Sequence, residues 1–184
     1  MNRRSIQIGW VYIFLAATAF ADDSDITDRY SFSASEMSFN LSIDDNLVGH
    51  VNSLSNTSEQ IDYLIHLAQN SPDNRQKSSA LSLLGETRST NAVPVLLDNL
   101  TFRDEDSKTF PAVRSLSRIG EDAVEPIFVY IKTTTNHVAV TRGAEAIQMI
   151  KCRGADCSAY LEWLKPRFDG LPKHLQIALG VIER

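Results

Sequence analysis

Leu83 to Leu100 reads LLGETRSTNAVPVLLDNL, and one period later Ser115 to Ile131 reads SLSRIGEDAVEPIFVYI. Each segment ends one apolar run in Leu-Gly or Ile-Gly and opens a second on Ala-Val followed by a proline, Pro94 or Pro126. Apolar residues at three- and four-residue spacing place both runs on helices. A pair of such helices has apolar faces that it cannot bury alone, so copies must stack on one another. The expected fold is all-α, an α-solenoid of stacked helical hairpins over residues 44–184. Residues 22–43 precede it as a short extended segment or a tether.

Upstream, residues 44–70 give a degenerate first repeat. Leu47, Val51 and Leu54 share one helical face, and Asn56-Thr-Ser-Glu59 is a capping box ahead of Ile61, Leu64, Ile65 and Ala68. Ser71-Pro-Asp-Asn breaks the chain and starts a helix through Ala80, Leu81 and Leu84, which Gly85 is expected to end. Asn91 is placed to cap the next helix. Pro94 falls in its first turn, where backbone donors have no intrahelical acceptor to lose.

Downstream, Ala112, Leu116 and Ile119 precede Gly120, with Asp122 as the cap of the helix that follows. A third repeat keeps the period without the Leu-Gly signature, through Ala144, Ile147 and Ile150 and then Tyr160, Leu161 and Leu164 up to a stop at Pro166. His174 to Ile182 closes the array as a terminal cap, which keeps the last apolar face out of water.

Residues 1–21 read as an export signal. Asn2-Arg3-Arg4 is a basic start, Ile6 to Phe20 is mostly apolar, and Ala19-Phe20-Ala21 is a small-x-small cleavage site before Asp22. The apolar stretch falls short of the roughly 20 residues that cross a bilayer, so cleavage after Ala21 is expected over a retained anchor, with no stable membrane insertion afterwards. Between there and residue 44 the chain is rich in Ser and Asp. Tyr30, Phe32 and Ala34, then Phe39, Leu41 and Ile43, alternate with polar neighbours, which fits a strap or strand as well as a tether. An exported protein, periplasmic or extracellular, is the expected product.

Cleavage removes Arg3 and Arg4 from the 18 basic side chains and none of the 23 acids, leaving 16 against 23 and a net charge of −7. The remaining Lys and Arg are scattered among acids, so no basic stripe is present for a nucleic acid. Cys152 and Cys157 bracket four residues in a chain that leaves the cytoplasm, and a disulfide is expected of them. The rival, a two-cysteine metal site, lacks the four ligands zinc prefers.

The segments quoted first resemble the short HEAT-like repeats described by their similarity to phycobilin lyase subunits. The resemblance covers about residues 74–165 and implies an α-solenoid. It carries little about activity, because scaffolds, regulatory subunits and a few lyases share such repeats. A lyase or enzyme-accessory role is what the family name implies, and no constellation in the chain supplies that chemistry.

Catalytic motifs are missing from the sequence. His50, His66, His137 and His174 are dispersed with no HExxH, there is no G-x-S-x-G or P-loop, and Ser78-Ser79 has no lysine at the spacing of a Ser-Lys nucleophile. Asp104-Glu105-Asp106 and Asp44-Asp45 lack the alternating ligands of a calcium loop and read as solvated charge. No catalytic residue, metal or cofactor is therefore assigned.

Aligning the second helices of the repeats puts Asn99, Tyr130 and Trp163 in one column and Asp98, Val129 and Glu162 in its neighbour, flanked by Lys132 and Lys165. In solenoids of this type second helices line the concave face. Tyr and Trp are enriched in binding hot spots, so these six residues are the candidate surface for a protein or peptide. The opposing reading buries both aromatics between neighbouring repeats. The sequence-level conclusion is an exported, non-catalytic repeat protein that binds a protein or peptide, with an enzyme-accessory subunit and a structural subunit of an envelope assembly as the other readings.

Overall fold

The structure is a computed structural model and describes residues 44–152 and 156–180. The export signal, the strap-or-tether segment and the end of the expected last helix lie outside the described residues. Among those described, every regular element is helical, as an all-α chain requires. The elements are α1 (Asp45–Ser53), α2 (Thr57–Asn70), α3 (Asn74–Glu86), a 3-10 turn (Thr90–Ala92) running into α4 (Val93–Asp98), α5 (Pro111–Ile119) and α6 (Glu121–Thr133). They continue with α7 (His137–Lys151), α8 (Ser158–Leu164), a 3-10 segment (Lys165–Gly170) and α9 (Lys173–Ala178).

Polar side chains start most of the long helices by accepting from orphan N–H groups. Asp44, Asp73 and Asn136 cap α1, α3 and α7 in this way. Asn56 accepts from the N–H of Glu59 at 2.9 Å, while the Glu59 carboxylate accepts from the hydroxyl and N–H of Ser55. The capping box thus closes one residue earlier than its reciprocal form. Those Ser55 bonds, the hydroxyl first, hold the Glu59 carboxyl below its ordinary range.

Three termini differ from the sequence reading. A 3-10 turn precedes α4, so the capping side chain is Ser89, accepting from the N–H of Asn91, and Asn91 itself caps nothing. Gly120 ends α5 and starts α6 with φ +85° and ψ −145°, which leaves Asp122 inside the first turn, where its charge suits the helix dipole. Gly85 does not end α3. The helix runs on to Glu86, and Thr87 closes it with its hydroxyl on the Leu84 carbonyl at 2.7 Å. A Cβ on Gly85 would sit 2.6 Å from the Ser115 Cα, so the residue is glycine because α5 passes directly against it. Ser115 completes that contact by donating to the Leu81 carbonyl at 2.7 Å.

Several helices two apart in sequence are neighbours: α3 packs on α5, α5 on α7 and α7 on α9, while α2 meets α4 and α4 meets α6. Successive helices also touch, most extensively α2 with α3 and α6 with α7. One core joins these helices, in which Leu64, Leu81, Leu84, Leu96, Leu116, Ile127, Ile131 and Ile147 are fully buried. Each such side chain contributes roughly 1.5–3 kcal/mol by leaving water.

The carboxyl-terminal end is both packed, with Leu164, Leu175 and Leu179 buried in the core, and tied. Cys152, which ends α7, is disulfide-bonded to Cys157, which starts α8, across a Cα separation of 4.2 Å. As expected, α8 ends before Pro166, at Leu164, and the proline sits at the start of the 3-10 segment, where no donor is required of it. The Tyr160 hydroxyl donates to the Leu179 carbonyl at 2.6 Å, and Gln176 reaches back to the Leu171 carbonyl at 2.9 Å. Burial pushes the Tyr160 phenol up to about 12, against a smaller opposing bond from Gln148. No helix among the described residues is long and apolar enough to cross a membrane.

Candidate functional site

The six residues of the expected strip fall at the ends or outer faces of α4, α6 and α8, and their environments differ. Asp98, the last residue of α4, is exposed. Asn99 follows it past the end of the helix and turns inward: it is buried, and its amide nitrogen donates to the Val95 carbonyl at 2.8 Å. On α6, Val129 is 54% exposed, whereas Tyr130 is half-buried and packs against the core. On α8, Glu162 is exposed and Trp163 is half-buried.

Trp163 is surrounded by other aromatic and cationic side chains. Its ring meets Phe128 edge-on with centroids 5.1 Å apart, and lies 6.1 Å from the Tyr160 ring at a 26° interplanar angle. The Arg167 guanidinium lies 4.8 Å over the indole, and its Nη1 donates to the Trp163 carbonyl at 2.8 Å. The same guanidinium is 5.9 Å from the Phe128 ring and 3.5 Å from the Glu125 carboxylate, and Lys132 stands 5.3 Å over Phe128 from the next turn. Cation–π contacts of this exposed kind contribute about 0.5–1 kcal/mol each. Among the described residues, the α6 ring that Trp163 meets is that of Phe128 rather than Tyr130.

The surface beside this cluster mixes apolar and acidic groups. Val129 and Leu161 are the exposed large apolar side chains of α6 and α8, at 54% and 39%. Asp98 and Glu162 are the acids of the strip, and Lys132 and Lys165 are exposed at its edges. Such a surface can hold an extended segment by apolar contact with charge pairs on either side.

Sequence reasoning missed Phe128 and Arg167. Their signal was the four-residue spacing of Trp163 with Arg167 and of Phe128 with Lys132, which stacks a cation over a ring on the preceding turn.

The acidic cluster on the α4–α5 connection is occupied by the loop itself. Asp104 accepts from the hydroxyls of Ser107 at 2.8 Å and Ser78 at 3.0 Å and from the N–H of Asp106 at 3.0 Å. Burial pushes the Asp104 carboxyl up, but the bonds from Ser107, Asp106 and Ser78 together outweigh it and hold the group below its ordinary value. Among the described residues no three His, Cys, Asp or Glu side chains gather as a metal would need. No protein-family model, no curated protein and no solved structure matches this chain.

Proposed function

We propose that residues 44–184 are a HEAT-like α-solenoid in an exported, non-catalytic protein that binds a protein or peptide along the concave face lined by α4, α6 and α8. The observation that carries this reading is the packing of alternate helices on one another, α3 on α5 on α7 and α2 on α4 on α6, in a chain whose sequence repeats with the same step. The Cys152–Cys157 disulfide supports a compartment outside the cytoplasm. Val129 is the apolar contact of the strip, Asp98 and Glu162 select charge in the partner, and the half-buried Tyr130 and Trp163 offer ring edges while they hold the face in shape.

The test is affinity capture from the extracytoplasmic fraction of the native host, using the mature protein beside a Val129→Asp, Glu162→Lys variant. Both positions are exposed, so helical content should be unchanged. One protein enriched by the wild type and lost with the variant supports the reading. Equal capture by both, or no stable capture, removes the strip as the binding surface.

A further inference from the structure

Three Asn-x-Ser/Thr triplets occur in the chain, Asn40-Leu41-Ser42, Asn56-Thr57-Ser58 and Asn99-Leu100-Thr101, and none has proline at its centre. This is the acceptor pattern for an N-linked glycan in a protein that passes through a eukaryotic secretory pathway. The first triplet lies outside the described residues. The structure separates the other two. Asn99 is only 8% exposed, its Nδ2 donates to the Val95 carbonyl at 2.8 Å, and Leu100 beside it is 1% exposed. A sugar on that nitrogen would break the bond and force the side chain out of its buried position.

Asn56 is placed in the opposite way. It is exposed at the corner between α1 and α2, and Ser55, Thr57 and Ser58 around it are exposed as well. Its Oδ1 caps α2 by accepting from the N–H of Glu59 at 2.9 Å, and the side-chain atom that faces a backbone donor must be the oxygen. The Asn56 side chain also donates to the Glu59 carboxylate, the smallest of the bonds that hold that carboxyl low. Attachment of a glycan at Nδ2 spares both roles. The amide oxygen is untouched, and the nitrogen keeps one of its two hydrogens.

We propose that Asn56 is an N-glycan attachment site, and the one of the two described triplets that the folded protein can carry in modified form. The inference rests on the export reading. Its co-reactant is an oligosaccharide joined through a diphosphate to a polyisoprenol. Nδ2 attacks the anomeric carbon, a C1–N bond forms as the C1–O bond to the diphosphate breaks, and the polyisoprenyl diphosphate leaves. The Nδ2 proton passes to a base of the transferase, and no electrons are exchanged. Transfer to the unfolded chain is compatible with later folding at Asn56 and incompatible with it at Asn99.

The test is site mapping of the protein from the extracytoplasmic fraction of its native host. Mass spectra are compared before and after peptide-N-glycosidase, which removes the glycan and converts the asparagine to aspartate. The expected result is a chain that begins at Asp22, loses mass at Asn56 on treatment and is unmodified at Asn99. Ser58→Ala breaks the triplet and leaves the Oδ1 cap in place, so it should abolish the modification with unchanged helical content. Thr101→Ala should leave the modification as it was. A chain that begins at Asp22 with a bare Asn56, or with the glycan on Asn99 instead, overturns the site and leaves export standing. A chain that retains residues 1–21 with a bare Asn56 removes both.

Discussion

The middle of the molecule and its carboxyl-terminal end are both helical, yet they are held in different ways. In the middle, α3 and α7 run for 13 and 15 residues and approach their neighbours at glycine, Gly85 against Ser115 and Gly143 against Ile131. At the end, α8 and α9 have only 7 and 6 residues, and isolated helices below roughly 12–15 residues are marginal in water. There the disulfide, the Tyr160–Leu179 bond and the Gln176–Leu171 bond supply what length does not. Apolar burial grows with the length of helix that can be laid down. Where the helices are short, covalent and directional ties add to the burial of Tyr160, Leu164, Leu175 and Leu179.

That contrast can be broken from either side. The largest effect is expected in the middle: Leu116→Ala should destabilise the whole domain by about 2–5 kcal/mol, with all spectroscopic probes shifting together in denaturant. A loss confined to one segment would show that the middle is not the common core. Next comes Gly85→Ala, which sets a Cβ against the Ser115 backbone and should cost about 1–3 kcal/mol of stability. Gly49 on α1 has nothing within 4 Å, so Gly49→Ala should instead stabilise by roughly 0.5–1 kcal/mol. Thermal melts that failed to give opposite signs for the two would refute the close-approach account of Gly85.

At the other end, replacing Cys152 and Cys157 by serine should lower stability by roughly 2 kcal/mol through the short loop they close. Hydrogen exchange should then quicken at α8 and α9 while the amides of α3 and α5 keep their protection. Uniform acceleration would contradict a local tie. Tyr160→Phe should cost only about 1 kcal/mol at neutral pH, because Gln148 still reaches the Leu179 carbonyl at 3.4 Å. Alkali makes it distinctive. The folded phenol ionises at about 12 against 10.0 for the free group, so its contribution is complete below pH 10 and is lost as pH rises from 10 towards 12. The phenylalanine variant should lack that part of the alkaline slope in pH-dependent melts.

Helix positions and core residues were legible in the sequence because a 3.6-residue period decides which side chains are covered. Leu64, Leu84, Leu116 and Ile147 were all assigned to the apolar faces and are fully buried, whereas Leu161, assigned likewise, is 39% exposed. The ends were less legible. Gly85 looked like a helix stop because a glycine near the end of a periodic run carries the same signal whether it turns the chain or admits a neighbour, and only the Ser115 distance separates the two. Asn91 and Asp122 looked like caps because nothing local announces that a 3-10 turn or a one-residue corner precedes each helix. For the candidate surface, the column positions were legible, but alignment treated the second helices as equal. α4 ends at Asp98 after 6 residues whereas α6 runs for 13, so Asn99 turns inward while Tyr130 remains on a helix. The ring contact between His137 and His174 had no local signal, being created by the docking of α9 on α7.

Gly120 also bears on the order of events when the chain folds. It is at once the last cap of α5 and the first of α6, in a backbone region open essentially to glycine. No loop remains to be closed at that corner, whereas residues 99–110 separate α4 from α5. Closure entropy rises with the length of chain to be gathered. The α5–α6 corner is therefore where the folding nucleus is expected, with low-contact-order growth outward on both sides. The short helices α8 and α9 would then condense on a surface already formed. Mutations at the corner should slow folding, and mutations at α8 or α9 should mainly hasten unfolding.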